Sequence, residues 1–268
     1  MKVLILSCDT GGGHNSAAIA IYEYLKKVNV ECQMLDALTL KSRQTSKRAA
    51  SAYISVINIP FLFGIIYSAG SLLSNPKVKS PVYYLNRSYR KQLQDYINTN
   101  GFDTVITTHL FPAEALTALK REKSINAKTI AVNTDYTCIP FWEETELDYY
   151  IIPHEDLMDE FIRRGIPKEK LLPFGIPVNP DFYAKLPKQE ARRKFCEIYN
   201  VKFDPSKPWY MIMSGSMGYG KVHQLVNAII NMHYTGVNIV VICGTNQKLK
   251  SKLEADYGDF DNVAICGY

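Results

Sequence analysis

The feature that most constrains the fold is a glycine-rich loop between an apolar strand and an amphipathic helix. The segment Met1–Ser7 is an apolar run, typical of a buried parallel strand. The loop Gly11-Gly12-Gly13-His14 follows, and apolar residues then recur at helical spacing from Ser16 to about Val28. Glycines let the backbone approach a ligand closely, the start of a helix favours negative charge, and an imidazole there can carry a proton. We therefore predict a ligand at this loop, the alternative being a turn that serves packing alone.

Predicted strands and helices alternate along most of the chain, with helices at about Val82–Asn98, Ala113–Lys123, Glu155–Arg164 and Lys188–Asn200. Such alternation implies parallel sheets with helical crossovers. The proline-rich stretch Pro173–Pro187 separates two alternating runs and is typical of a linker. We therefore predict an α/β protein with two Rossmann-like domains, residues 1–178 and 204–268, joined by a linker and bridging helix at 179–203. The second domain is predicted with three strands, half of a doubly wound sheet, and is expected to be incomplete.

An insertion at residues 41–91 interrupts the alternation and concentrates the positive charge. Between Asp36 and Asp95 the chain has nine Lys and Arg residues and no acidic residue. The uncharged run Ala52–Leu73 inside it is long enough for a membrane span, but Pro60 and the surrounding α/β pattern argue against one. Contact with an anionic membrane surface fits better, and packing of a helical hairpin on the sheet is the alternative. Nucleic acid is a weaker partner, because the aromatic residues are mixed with Ile and Leu and form no stacking platform.

For the membrane contact we predict that cations bind lipid headgroups and that aromatic side chains enter the interface. The residues predicted for this role are Lys47, Arg48, Phe61, Phe63, Lys77 and Lys79. The six cysteines are scattered without a CxxC pair, and no secretory signal precedes the first strand. We therefore expect reduced thiols in the cytosol. No group of Cys, His and carboxylate residues has the spacing of a metal site, so no metal is predicted.

Two further groups of polar residues follow predicted strands, where parallel sheets form their ligand crevice. The first is Thr107-Thr108-His109, in which His109 either lines a site or caps the next helix. The second begins at Asn133 and contains Asp135, which can orient or deprotonate a hydroxyl or can form a simple Asx turn. The nearby aromatic residues, Trp142 among them, either shape an acceptor pocket or pack.

A second glycine-rich loop follows the first predicted strand of the second domain. It comprises Gly215, Ser216, Met217, Gly218, Tyr219 and Gly220. The loop is suited to a diphosphate, although it does not match the P-loop pattern GxxxxGK[ST]. Two loops of this type, one in each domain, indicate a nucleotide ligand more strongly than either does alone.

Several segments taken together resemble a known family, in order and over nearly the whole chain. They are GGGHNSA, TTHLFP, NTDYTCIPFW, DYYIIPHEDLMDEF and GIPVNPDF. These segments are similar to those of the diacylglycerol glycosyltransferases, which include the monogalactosyldiacylglycerol synthases of plants and the processive glucosyl enzymes of Gram-positive bacteria. The lipid-linked GlcNAc transferase of peptidoglycan synthesis is a more distant relative.

The resemblance implies a GT-B glycosyltransferase that moves a hexose from a UDP-sugar to diacylglycerol, with inversion and without a metal or other cofactor. It implies His14 or Asp135 as the catalytic base, and the loop Gly215–Gly220 as the contact for the donor diphosphate. Gly11, Gly12, Gly13, His109 and Trp142 are expected at the acceptor, and the enzyme at the cytoplasmic face of the membrane. The oligomeric state is not predicted. The alternatives are an inactive lipid-binding fragment and a related GT-B sugar-nucleotide enzyme with another acceptor.

Overall fold

The structure is a computed structural model that describes residues 1–8, 12–42, 44, 79–232 and 236–267. The chain forms two compact units, Met1–Phe182 and Tyr183–Tyr268. The boundary lies inside the predicted linker. The helix that we assigned to the linker as a bridge belongs to the second unit, because its Phe195 and Cys196 pack on that unit's sheet.

In its described residues the first unit contains a six-stranded parallel sheet with the strand order β2-β1-β3-β4-β5-β6. The strands are β1 (Lys2–Ser7), β2 (Glu31–Asp36), β3 (Thr104–Thr107), β4 (Lys128–Val132), β5 (Tyr149–Ile151) and β6 (Leu171–Leu172). The helices are α1 (Gly12–Lys27), α2 (Pro81–Asn86), α3 (Arg90–Asn100), α4 (Leu110–Arg121) and α5 (Met158–Arg163).

Both faces of this sheet are covered, as the continuous apolar pattern of β1 predicts. Val3 and Ile5 on one face pack with Ala18 of α1. Leu4 and Leu6 on the other face belong to the larger core, which includes residues of α3 and α4. The first strand is therefore buried between two layers of helices, which positions the loop that follows it.

The second unit contains a three-stranded parallel sheet, in the part that the structure describes, with the order β7-β8-β9. Its strands are β7 (Trp209–Met213), β8 (Asn238–Ile242) and β9 (Val263–Cys266), and its helices are α6 (Lys188–Tyr199), α7 (Val222–Asn231) and α8 (Gln247–Tyr257). One face packs against α7 and α8 through Val226 and Leu253. The other face packs against α6 and Phe203.

The structure corrects several predicted element bounds. The first helix begins at Gly12 rather than Ser16, so Gly12, Gly13 and His14 occupy its first turn. The single helix predicted at Val82–Asn98 is two helices separated by a 3-10 turn at Arg87–Tyr89. The interruption has a packing cause, because Tyr89 is only 1% exposed and Asn86 is bonded to Glu114 of α4.

The membrane prediction is wrong for Lys79, and the other five residues predicted for this role lie outside the described residues. Lys47, Arg48, Phe61, Phe63 and Lys77 are in the part of the chain that the structure does not describe. Lys79 is described, and its side chain is only 8% exposed because it pairs with Glu146 at 3.0 Å and donates to the backbone carbonyl of Glu144. Lys79 is thus an internal contact rather than a lipid contact. No helix in the described ranges is both long enough and apolar enough to cross a bilayer.

Candidate active site

The first candidate site lies where the strand order of the first sheet reverses direction. The chain runs from β1 to β2 on one side and from β3 to β6 on the other, so the switch point is between β1 and β3. In open α/β sheets, ligands bind in the crevice outside the carboxyl ends of the strands at such a point. The loop after β1 leads to His14, and Thr108 and His109 directly follow β3. The fold therefore brings two sequence-predicted histidines to the expected crevice.

His14 is held by two hydrogen bonds on the same ring nitrogen. Its Nδ1 lies 2.8 Å from the backbone carbonyl oxygen of Thr108 and 2.7 Å from Oγ1 of Thr134. A carbonyl oxygen can only accept, so Nδ1 of a neutral ring carries the proton and donates it. The lone pair is then on Nε2, which has no hydrogen-bond partner among the described residues. This assignment of the tautomer leaves Nε2 able to accept a proton from a ligand.

The electrostatic surroundings of His14 suit a base. Burial lowers the pKa of His14 from its usual value, and the negative charge of Asp135 and the bond to Thr108 act in the opposite direction. The imidazole is therefore neutral at physiological pH, while Asp135 stabilises the imidazolium that forms when a proton is taken up. Asp135 is partly exposed and follows Thr134 at the end of β4. The structure thus brings both predicted catalytic residues together.

His109 is buried behind the His14 ring and does not open into the site. The side chain is 6% exposed, and its Nδ1 accepts from Phe111 N at 3.1 Å, which caps α4. Its ring meets the His14 ring edge to face, with centroids 4.7 Å apart. Burial lowers the pKa of His109 well below its usual value, with the His14 charge as a smaller cause. His109 therefore packs as a neutral ring, and capping is the reading that the structure favours over direct acceptor contact.

The remaining acceptor predictions have different outcomes. Gly12 and Gly13 are in the first turn of α1, and a Cβ built on Gly13 meets no heavy atom within 4 Å. This glycine is thus not required by packing against the described residues, which leaves room for a ligand. Gly11 lies outside the described residues. Trp142 is 3% exposed and packs against Tyr150 in the core, so it has almost no surface with which to contact an acceptor.

The second candidate site is the loop Gly215–Gly220 between β7 and α7. Two of its carbonyl groups bond to the loop after β8, because Ser216 O accepts from Thr245 N at 2.8 Å and Gly218 O accepts from the Asn246 side chain at 3.1 Å. By contrast, the backbone N–H groups of Ser216, Met217, Tyr219 and Gly220 have no acceptor in the described part of the chain. Successive free N–H groups of this kind form an anion-binding concavity.

The start of α7 extends this anion site. Lys221 is its N-cap residue and makes no side-chain capping bond, so the first N–H groups of the helix have no capping acceptor. An uncapped helix start after a glycine-rich loop binds phosphate through these N–H groups and the helix dipole. The exposed ammonium of Lys221 adds a positive charge at the same place. In the described residues no group of three or more His, Cys, Asp or Glu side chains could hold a metal ion.

Two site residues were missed in the sequence analysis. Thr134 orients His14, and Lys221 stands at the start of α7. A signal for each was present, since Thr134 directly precedes Asp135 and Lys221 directly follows the glycine loop.

Two parallel α/β units with these loops define a protein of the GT-B class. The solved structures that match are GT-B proteins and support this class at the level of the fold. A glycosyltransferase from Rickettsia africae ESF-5 matches with a TM-score of 0.56 at 17% identity, over 99% of this chain and 68% of that one. MurG of Acinetobacter baumannii matches with a TM-score of 0.53 at 14% identity, over 100% and 67%.

The chain belongs to the monogalactosyldiacylglycerol (MGDG) synthase family, whose model matches residues 14–178. Among curated proteins, a processive diacylglycerol beta-glucosyltransferase of Staphylococcus saprophyticus is 28% identical over 273 residues. A protein of the same name from Bacillus cereus (strain B4264) is 26% identical over 271 residues. Each alignment covers 100% of this chain and 66% of the relative, so the chain spans slightly less than two thirds of the length of these relatives.

Proposed function

We propose that the protein transfers a hexose from a UDP-sugar to the free hydroxyl of diacylglycerol, with inversion and without a metal ion. The names of the relatives support the lipid acceptor and the glycosyl transfer. The observation that carries the proposal is the bond from His14 Nδ1 to the Thr108 carbonyl, because it leaves the Nε2 lone pair for an acceptor hydroxyl.

In the proposed reaction, His14 Nε2 takes the proton from the acceptor hydroxyl as the oxygen attacks the anomeric carbon. The bond from that carbon to the diphosphate breaks, and the electron pair leaves with UDP. Asp135 stabilises the imidazolium by its charge. A positioned general base of this kind contributes about 10²–10⁴-fold in rate.

The departing diphosphate gains negative charge as the glycosidic bond breaks. The free N–H groups of the loop Gly215–Gly220, the start of α7 and Lys221 supply positive potential for this group. Preorganised donors of this kind stabilise developing charge without a metal ion. Binding of UDP by the isolated chain tests this half of the proposal independently of turnover.

We further propose that the protein acts as a peripheral protein at the cytoplasmic face of a membrane that contains anionic lipid. The excess of basic residues between Asp36 and Asp95, Lys79 excepted, supports this, because each cation near an anionic surface adds about 1 kcal/mol of attraction. Sedimentation with vesicles tests it: acidic vesicles are expected to bind the protein and zwitterionic vesicles to bind it much less. Equal binding to both would contradict the electrostatic part.

The decisive experiment measures glycolipid formation from UDP-glucose and UDP-galactose in parallel, with diacylglycerol vesicles as the acceptor. His14→Ala is expected to lose about 10²–10⁴-fold in turnover and to keep its affinity for UDP. His154→Ala is the matched control, because His154 is an exposed histidine that caps a 3-10 turn. Near-normal turnover of His14→Ala would exclude His14 as the base. UDP binding without any glycolipid product would favour another acceptor.

A further inference from the structure

The loop Gly215–Gly220 interlocks with the loop that follows β8, and two glycines make this possible. Gly218 has φ +57°, and a Cβ there would lie 2.1 Å from the carbonyl oxygen of Cys243. Gly244 has φ +58°, and a Cβ there would lie 2.1 Å from the carbonyl oxygen of Ser216. Each loop thus presses its backbone against a glycine of the other. The position of the first loop is therefore set by the second.

Asn246 is the side chain that joins the two loops. Its Oδ1 accepts from Leu249 N at 2.9 Å and so caps α8, and its Nδ2 donates to Gly218 O at 3.1 Å. Capping alone does not require asparagine, since Ser and Asp cap a helix about as well. The amide accepts from the helix through Oδ1 and donates to the loop carbonyl through Nδ2, whereas a carboxylate cannot donate and a serine hydroxyl would have to make both bonds from one atom. The residue type therefore matches a second task beside the cap.

The second task concerns the direction in which the loop N–H groups point. Asn246 donates to the carbonyl of Gly218, and Thr245 donates to the carbonyl of Ser216. In a trans peptide group the N–H points opposite to the C=O, so the N–H bonds of these two peptide groups point away from the loop after β8. Phosphate oxygens need such donors at a heavy-atom distance of about 2.7–3.2 Å. A loop that lost one of these bonds would keep its N–H donors but would no longer hold them in the orientation that a phosphate group needs.

We propose that Asn246 is a positioning residue that holds the loop Gly215–Gly220 in the conformation that binds the donor diphosphate. The inference rests on the proposed function for the identity of the ligand. It assigns to Asn246 no contact with that ligand, because the residue acts through the Gly218 peptide.

The test uses two variants that keep the cap of α8 and remove the donor to Gly218. Asn246→Ser is neutral and too short to reach Gly218 O, and Asn246→Asp is isosteric but cannot donate. Asn231→Ser is the matched control, because Asn231 is exposed on α7 and its side chain bonds, among the described residues, to Asn227 alone. The first measurement is amide hydrogen exchange of the loop and of Leu249. The second is the affinity for UDP, pyrophosphate and uridine.

For Asn246→Ser we expect faster exchange in the loop, unchanged protection at Leu249, and about 3- to 10-fold weaker binding of UDP and pyrophosphate. The affinity for uridine alone is expected to stay the same. Unchanged loop exchange in Asn246→Ser, or an equal change in Asn231→Ser, would overturn the inference. Weaker UDP binding in Asn246→Asp alone would also overturn it, since that result reports charge and not positioning. If the wild-type chain bound no UDP, the proposed donor would fail, while loop exchange would still decide the role of Asn246.

Discussion

A pair of buried carboxyl groups, Glu114 and Glu144, supports a quantitative prediction about stability. Both side chains are 0% exposed. The two oxygens of Glu144 each accept a bond of 2.6 Å from Ser80, one from its N–H and one from its hydroxyl. Glu114 accepts from Asn86 through Oε2, while no described donor faces its Oε1. Since Glu144 already accepts twice, a proton between the two groups belongs on Glu114.

The pKa of Glu114 agrees with this assignment. Burial raises it well above its usual range, the bond from Asn86 lowers it, and the charge of Glu144 raises it again. For an acid whose folded pKa is raised, the folded state holds the proton more tightly. Its stabilising contribution is complete below the unfolded pKa of about 4.3 and is lost as the pH rises toward the folded pKa. The loss cannot exceed about 1.4 kcal/mol per pH unit for one proton.

The two matched substitutions, Glu114→Gln and Glu144→Gln, are therefore expected to differ. Glutamine at 114 can still accept from Asn86 and can donate to Glu144, so its stability should be near that of the wild type at low pH and higher as the pH rises. Glutamine at 144 loses an acceptor for Ser80 and should cost about 1.5–3 kcal/mol, the value of a hydrogen bond to a charged group.

The assay is chemical unfolding of the first unit, followed separately from the second, over a range of about pH 5 to 8. This range lies above the unfolded pKa, so the unfolded chain has released the Glu114 proton that the raised pKa favours keeping in the folded state. The stability of Glu114→Gln relative to the wild type should increase steadily across this range. If Glu114→Gln were less stable than the wild type at every pH while Glu144→Gln kept the wild-type stability, the proton would belong on Glu144. That result would refute the reasoning.

Three further predictions concern the two sites. Asp135→Asn removes the charge that raises the pKa of His14, so the acidic limb of the turnover–pH profile should move to lower pH while the maximum falls. If the limb did not move, Asp135 would not act on the pKa of His14. Gly13→Ala should raise stability by about 0.5–1 kcal/mol, as alanine does in a helix, yet lower turnover, because its methyl group fills space left for a ligand; full turnover would mean that no ligand approaches there. Gly218→Ala should lower the stability of the second unit more than Gly215→Ala, since both have positive φ but only the first meets a backbone oxygen at 2.1 Å; equal losses, by thermal unfolding, would contradict the interlock.

Local pattern was sufficient to predict the strands and most helices, because each depends on residues close in sequence. The apolar run Met1–Ser7 and the periodicity after His14 predicted β1 and α1, although the start of α1 was placed four residues late. Glycines are poor helix formers, so the pattern gave no reason to include Gly12 and Gly13. The break at Arg87–Tyr89 depends on Asn86 meeting Glu114, a partner 28 residues further along. Such a contact leaves no local periodic signal.

The candidate site was predictable in most of its members, Thr134 and Lys221 excepted, but not in their roles. Strand ends located His14, His109 and Asp135 in one crevice. Which of the two histidines opens to a ligand depends on burial, and His109 is buried at 6% exposure beneath its neighbour. Trp142 carried the same aromatic signal as a ligand-lining residue, yet it packs with Tyr150. A side chain's exposure is set by the layers above it, which a single motif does not encode.

The geometry also bears on the choice between His14 and Asp135 as base. A base at neutral pH must be unprotonated yet able to hold a proton when the transition state demands it. The His14 ring satisfies both conditions, because burial keeps it neutral and the Asp135 charge stabilises its protonated form. The Thr108 carbonyl adds the orientation, since it occupies Nδ1 and leaves Nε2 as the only basic atom of the ring. In this arrangement Asp135 acts through its charge on the imidazole, and the proton of the acceptor goes to the nitrogen that the carbonyl leaves unprotonated.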